Sequence, residues 1–129
     1  DYLNRLSGPL LDRLDLWVGV QPLSPIDLMT AERGEGSATV AARVARARLF
    51  QDERGQTVRN AEASPEQFEL LDDARLLLAD AARKLRLSAR GFTRLLRVAR
   101  TIADLEGSFA IRTSHISEAV SFRHRQGVS

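Results

Sequence analysis

Arg90, Arg94 and Arg97, spaced by four and then three residues, carry the sharpest chemical signal in the chain. On a helix, at about 100° per residue, they fall with Thr101 within a narrow arc. Phe92, Leu95, Leu96, Ala99, Ile102 and Ala103 cluster on the opposite side. Guanidiniums on adjacent turns repel one another unless something anionic faces them. Each is a planar, permanently charged fork of donors suited to phosphate and carboxylate oxygens. Two chemistries fit this spacing. One is an anion site, most simply for a phosphate group. The other is a solvated amphipathic face whose arginines pair with nearby Asp and Glu. Spacing alone does not choose between them.

Other side chains offer less. His115 and His124 lie nine residues apart, with no carboxylate beside either at metal-ligand spacing, so no metal site is expected. Asp72-Asp73 precedes a helical run and reads as a first-turn complement to the helix dipole rather than an acid–base pair. GxxxxGK[ST], GxGxxG and GxSxG are all missing, and no complete catalytic constellation is present. With no cysteine, disulfides, thiolate zinc sites, iron–sulfur clusters and cysteine nucleophiles are excluded, which suits a reducing compartment. Eighteen of the nineteen basic residues are Arg, Lys84 being the exception, so a net charge of only +2 accompanies a pI of 9.9. A GC-rich genome would produce the same bias. The placement of the arginines therefore carries more information than their number.

The elements that position these residues follow from periodicity and punctuation. The 129 residues suit one domain, and 43% apolar with 28% charged residues is a globular balance. No apolar run approaches the ~18 residues needed to span a bilayer, and no signal-peptide pattern follows Asp1, so a cytoplasmic location is expected. Ser7-Gly8-Pro9 reads as a helix start with a brief stripe at Leu10, Leu11 and Leu14, and Leu16 to Val20 as one short strand. A lone strand needs a sheet to join, and nothing later offers one, so this end reads as cut from something larger. Pro22 to Gly36 forms a linker. The rest is helical in pattern. One helix is expected from Ser37 to about Arg54, with Val40, Val44 and Ala47 on its apolar face. A second is expected to start at Ser64-Pro65-Glu66-Gln67, with Leu71, Ala74, Leu78, Ala81 and Leu85 behind it. A third runs from Ser88 to near Gly107, and a fourth from Thr113 to about Arg123.

Two stretches say more than their periodicity. Ser7-Gly8-Pro9-Leu10-Leu11-Asp12-Arg13-Leu14-Asp15-Leu16 resembles the end of the ATPase core in the magnesium-chelatase-like AAA+ family. Ser88-Ala89-Arg90-Gly91-Phe92, running on through Leu96-Arg97-Val98-Ala99-Arg100-Thr101-Ile102-Ala103-Asp104-Leu105-Glu106-Gly107, resembles its helical lid. Gly34-Glu35-Gly36-Ser37 and His115-Ile116-Ser117-Glu118-Ala119 fit the same pattern, which is most similar to the ComM-like competence branch. The resemblance covers nearly the whole chain and is weakest from Arg48 to Leu70. The branch usually has His where Trp17 stands.

The resemblance implies a fold and a set of roles. It implies an all-α, four-helix lid over residues 37–126. This follows a linker at 23–36 and a helix–strand remnant of the ATPase core at 1–22, expected to be poorly ordered. The core of the lid would form around Val40, Val44, Phe68, Leu71, Leu78, Leu95, Ile102 and Ile116. Arg13 maps to the arginine finger, which in this family and in minichromosome-maintenance helicases projects into the neighbouring subunit's nucleotide site. Arg90 maps to the second sensor of the γ-phosphate, and Arg97, two turns along the same face, is a lesser nucleotide contact. The parent would use ATP and Mg²⁺, assemble as a homo-oligomer, most simply a hexamer, and act on DNA by unwinding or branch migration during natural transformation. The phosphate-binding loop, the acidic metal-binding motif and the first sensor would lie upstream of Asp1, so the isolated chain is expected to bind no cofactor and hydrolyse no ATP. Two rivals stand beside this reading. One is the ATPase subunit of a true magnesium chelatase. The other is a free-standing Arg-rich helical module that binds nucleic acid or a protein, with steep salt dependence if several phosphates are contacted.

Overall fold

Helix starts and stops divide the chain into four α-helices. The structure, a computed structural model, describes Leu16 and residues 36–123. Helix α1 spans Ser37–Glu53, α2 Asp72–Lys84, α3 Ala89–Glu106 and α4 Thr113–Ser121, with a 3-10 turn at Pro65–Gln67. Among the described residues there is no strand, only an isolated parallel bridge between Leu70 and Ile111. The all-α class is as the sequence predicts. The remnant expected over residues 1–22 and the linker over 23–36 lie outside the described residues, Leu16 and Gly36 excepted.

The longest helix, α3, organises the rest. Ser88 Oγ accepts the Gly91 N–H at 3.0 Å, which satisfies one of the orphan donors of the first turn. At the other end Gly107 adopts φ +77°, a left-handed stop open to glycine at little steric cost. Helix α3 packs on α1, on α4 and on the 3-10 turn, while α2 packs on α4. Its apolar side supplies Leu95, Leu96, Ala99 and Ala103 to a core completed by Ala63, Phe68, Ala74, Leu78, Ile111, Ile116 and Ala119. Replacing Ser88 by Ala is expected to cost about 1 kcal/mol, seen as a lower urea midpoint at unchanged slope.

Two expectations are corrected. Ser64-Pro65 opens a single 3-10 turn rather than a helix, and Phe68 is already extended at φ −80° and ψ 130°. The backbone that follows is claimed from elsewhere: Leu71 N–H donates to Ile111 C=O at 3.1 Å, and Ile111 N–H to Glu69 C=O at 2.8 Å. These bonds hold residues 69–71 extended, so α2 begins only at Asp72. Asp72 and Asp73 then sit in its first turn, complementing the dipole as expected. The second correction concerns the core. Phe68, Leu78, Leu95 and Ile116 are buried and Ile102 half-buried, but Val40, Val44 and Leu71 are exposed. Helix α1 meets the bundle through its C-terminal end, burying Ala47 and Gln51 and placing the Phe50 ring 4.8 Å from that of Phe109. Residues 37–46 are all exposed.

Candidate functional site

The first turn of α3 is the place where unbalanced positive charge is concentrated. Arg90 lies two residues after the Ser88 cap and is exposed, and among the described residues no hydrogen bond or ion pair holds it. No acidic residue occupies that turn, in contrast to the two aspartates that begin α2. The partial positive charge of the helix end and the Arg90 guanidinium therefore add. Just before the turn, Arg86 adopts φ +52°, reversing the chain between α2 and α3. Leu87 N–H closes the end of α2 on Ala82 C=O at 3.0 Å.

The other arginines of the stripe are built into the fold. Arg97 donates from both Nε and Nη2 to the Ala63 carbonyl, at 3.1 and 3.0 Å, tying the segment before the 3-10 turn onto α3. Thr101 Oγ1 donates to Arg97 C=O at 3.0 Å and accepts from Asn60 Nδ2 at 2.9 Å. Arg94 is half-buried and engaged. Arg94 and Arg97 border an open groove of about 560 Å³ lined by Val98, Ile102, Leu105 and Phe122. Leu16, just beyond the Arg13 motif, lines the same groove. The structure thus places Arg90 and Arg97 on one helix, but with different surroundings. Arg13 lies outside the described residues.

Sequence reasoning missed the most highly connected group in the molecule. Asp104 is buried on α3, and its carboxylate accepts five hydrogen bonds. Oδ1 receives Arg54 Nε at 2.9 Å and Arg100 Nε at 3.0 Å. Oδ2 receives Arg54 Nη2 at 2.9 Å, Gln51 Nε2 at 3.0 Å and Asn60 Nδ2 at 2.9 Å. Arg100, wholly buried, continues from Asp104 to the carbonyls of Phe109 (2.7 Å) and Ser108. Burial pushes the Arg100 guanidinium below its ordinary value, the Asp104 carboxylate opposing the shift and the Arg54 charge adding to it. An Arg and an Asp four residues apart, set among the alanines of the apolar side, was the available signal. The motif from Leu96 to Gly107 is therefore held largely by architectural demands.

His115 has a structural use as well. Its ring is fully buried, Nδ1 accepts the Arg112 N–H at 2.9 Å, and Nε2 lies 3.0 Å from Glu106 Oε2. With Nδ1 accepting, Nε2 is the nitrogen that carries hydrogen and donates to the carboxylate. His124 lies outside the described residues, among which no group of three or more His, Asp or Glu could hold a metal ion.

A four-helix bundle hung on α3, with an uncompensated arginine at that helix's first turn, can now be set against known proteins. The family described as magnesium chelatase, subunit ChlI C-terminal, matches residues 34–123, and the chain belongs to that family. It is 44% identical over 128 residues to the competence protein ComM of Haemophilus influenzae. It is 46% identical over 127 residues to YifB of Escherichia coli and 39% identical over 129 residues to Rv2897c of Mycobacterium tuberculosis. Each match takes in 95% of this chain and 25% of the relative, so the chain spans about a quarter of the length of these relatives. Among the described residues no helix is long and apolar enough to cross a membrane.

Proposed function

We propose that the chain is the helical lid of an oligomeric AAA+ ATPase, in which Arg90 reads the γ-phosphate of bound ATP. One observation carries the reading. Of the stripe's arginines, Arg90 is the exposed one, set on the first turn of an 18-residue helix that has no acid there. A helix N-terminus and a guanidinium aimed at the same space make a polyphosphate site of the ordinary kind. Arg97 would have to release the Ala63 carbonyl to reach a phosphate, which makes it the lesser contact. Arg13 would act in trans, stabilising charge on the transferring phosphoryl group of the neighbouring subunit. The described residues offer no cluster for Mg²⁺, so its ligands would come from other parts of the full-length protein, as would the phosphate-binding loop.

For the whole protein, likeness to a competence protein supports action on DNA by a ring of subunits, a hexamer in the simplest case, working in the cytoplasm. The second reading, an ATPase subunit of a magnesium chelatase, is favoured by the description of the matched family. Either way the lid would close on ATP through Arg90. A free-standing nucleic-acid module has less support, because Arg97, Arg100 and Arg54 are committed to internal acceptors. The deciding experiment is ATP hydrolysis by the full-length protein carrying Arg90→Ala, with Arg97→Ala beside it. Loss with the first and a smaller effect with the second supports the reading. Wild-type turnover with Arg90→Ala overturns it.

A further inference from the structure

The glycine that follows Arg90 is a packing requirement. A Cβ placed on Gly91 would come within 2.8 Å of Arg123 Nη2 and 3.1 Å of its Cζ and Nη1. Three atoms of one guanidinium at nearly equal distance mean that the planar group lies over the bare backbone of α3's first turn. Arg123 follows Phe122, the residue that caps α4. Its charged end thus bridges the close of the last helix to the start of the helix that carries Arg90.

We propose that Arg123 is a positioning residue for Arg90. This rests on the phosphate-sensing reading of Arg90 given above. A guanidinium seated on residue 91 places a fixed positive charge beside the Arg90 side chain. Like charges at such separations repel, so Arg90 is kept from folding back across the helix and is held outward, where an anion would arrive. The same charge adds to the helix dipole and deepens the potential that a polyphosphate meets. Gly91 makes the arrangement possible, because any larger residue occupies the space of the Arg123 plane. Alanine is the better helix former of the two, so the glycine here has a local reason to be present.

The test is a double-mutant cycle in the full-length ATPase, with Gly91→Ala, Arg123→Gln, their combination, and Arg90→Ala as the reference. The Michaelis constant for ATP, kcat and the thermal midpoint are read for each. Arg123→Gln is expected to raise KM for ATP about 3- to 10-fold, with a smaller fall in kcat. Gly91→Ala is expected to do the same by displacing the guanidinium. The combined variant is expected to match either single change, since both remove one arrangement. Because Gly91→Ala improves helix propensity, its thermal midpoint should not fall below that of Arg123→Gln. A KM unchanged in both single variants while Arg90→Ala abolishes turnover overturns the positioning role and leaves the sensor reading standing. Effects that multiply in the combined variant also overturn it. Normal KM and kcat with Arg90→Ala overturn the sensor reading, and the positioning role falls with it.

Discussion

Full-length subunits carrying Arg13→Ala and subunits carrying Arg90→Ala are each expected to be nearly inactive, and to recover ATP hydrolysis when mixed. The reasoning is geometric. If Arg90 serves the nucleotide of its own subunit and Arg13 that of its neighbour, a complete site needs one of each across an interface. An Arg13→Ala subunit still offers Arg90, and an Arg90→Ala subunit still offers Arg13. Where the first holds the nucleotide and the second lies next to it in the ring, both arginines are present. Random mixing makes roughly a quarter of interfaces complete in this way. The single changes are expected to lower kcat by about 10³- to 10⁵-fold for the finger, and by about 10²- to 10³-fold for the sensor, as for other single charge-stabilising donors. Steady-state turnover against mixing ratio is the measurement. Recovery that peaks near equal proportions is the expected curve. A mixture no more active than its components would place both residues in one subunit's site, or neither.

Replacing Asp104 by Leu is expected to destabilise the chain by about 3–5 kcal/mol, the usual consequence of removing one partner from a buried charge pair. That is a large share of the about 5–15 kcal/mol by which a domain is stable. The reason lies in what is left behind. Arg100 is wholly buried and Arg54 nearly so, and both would lose their carboxylate, together with the amides of Gln51 and Asn60. Asp104→Asn keeps the shape but not the charge, and one of its two positions turns from acceptor to donor, facing donors on both sides. It should fall between wild type and Leu. Arg100→Met combined with Asp104→Leu removes two of the buried charges together and should be less harmful than Asp104→Leu alone. Urea unfolding of the chain measures all three, and an Asp104→Leu midpoint close to wild type would show the network to be ornamental.

How far the sequence could be read depended on whether the deciding partner was local. Helix α3 was legible because its controls lie within its own length: the Ser88 cap, the Gly107 stop and the three–four repeat of Leu95, Leu96, Ala99 and Ala103. The start of α2 was not, because Ser64-Pro65 carries the local marks of a helix N-terminus while Ile111, some forty residues away, holds residues 69–71 extended. Val40 and Val44 have helical spacing, but the spacing cannot say that α1 docks only by its far end. The arginine stripe shows the same limit within one helix. Arg90 and Arg97 are equivalent in period, yet one is exposed and the other is spent on a backbone carbonyl. A carbonyl is present at every residue and leaves no mark in the sequence. The Arg100–Asp104 pair left a mark, two charges on an apolar side, although nothing local gives its partners Arg54, Gln51 and Asn60.

The Asp104 carboxylate also fixes the order in which freedom is lost. Its bond to Gln51 spans 53 residues and its bond to Asn60 spans 44. The entropy of closing a flexible chain rises only as the logarithm of its length. Once one of these long loops is closed, the other contact restrains just the few residues between Gln51 and Asn60, at much smaller entropic cost. The end of α1 and the segment behind it therefore arrive on α3 together, and would leave together. Any rotation of α3 when a phosphate reaches its first turn would carry that whole flank with it as a single lever.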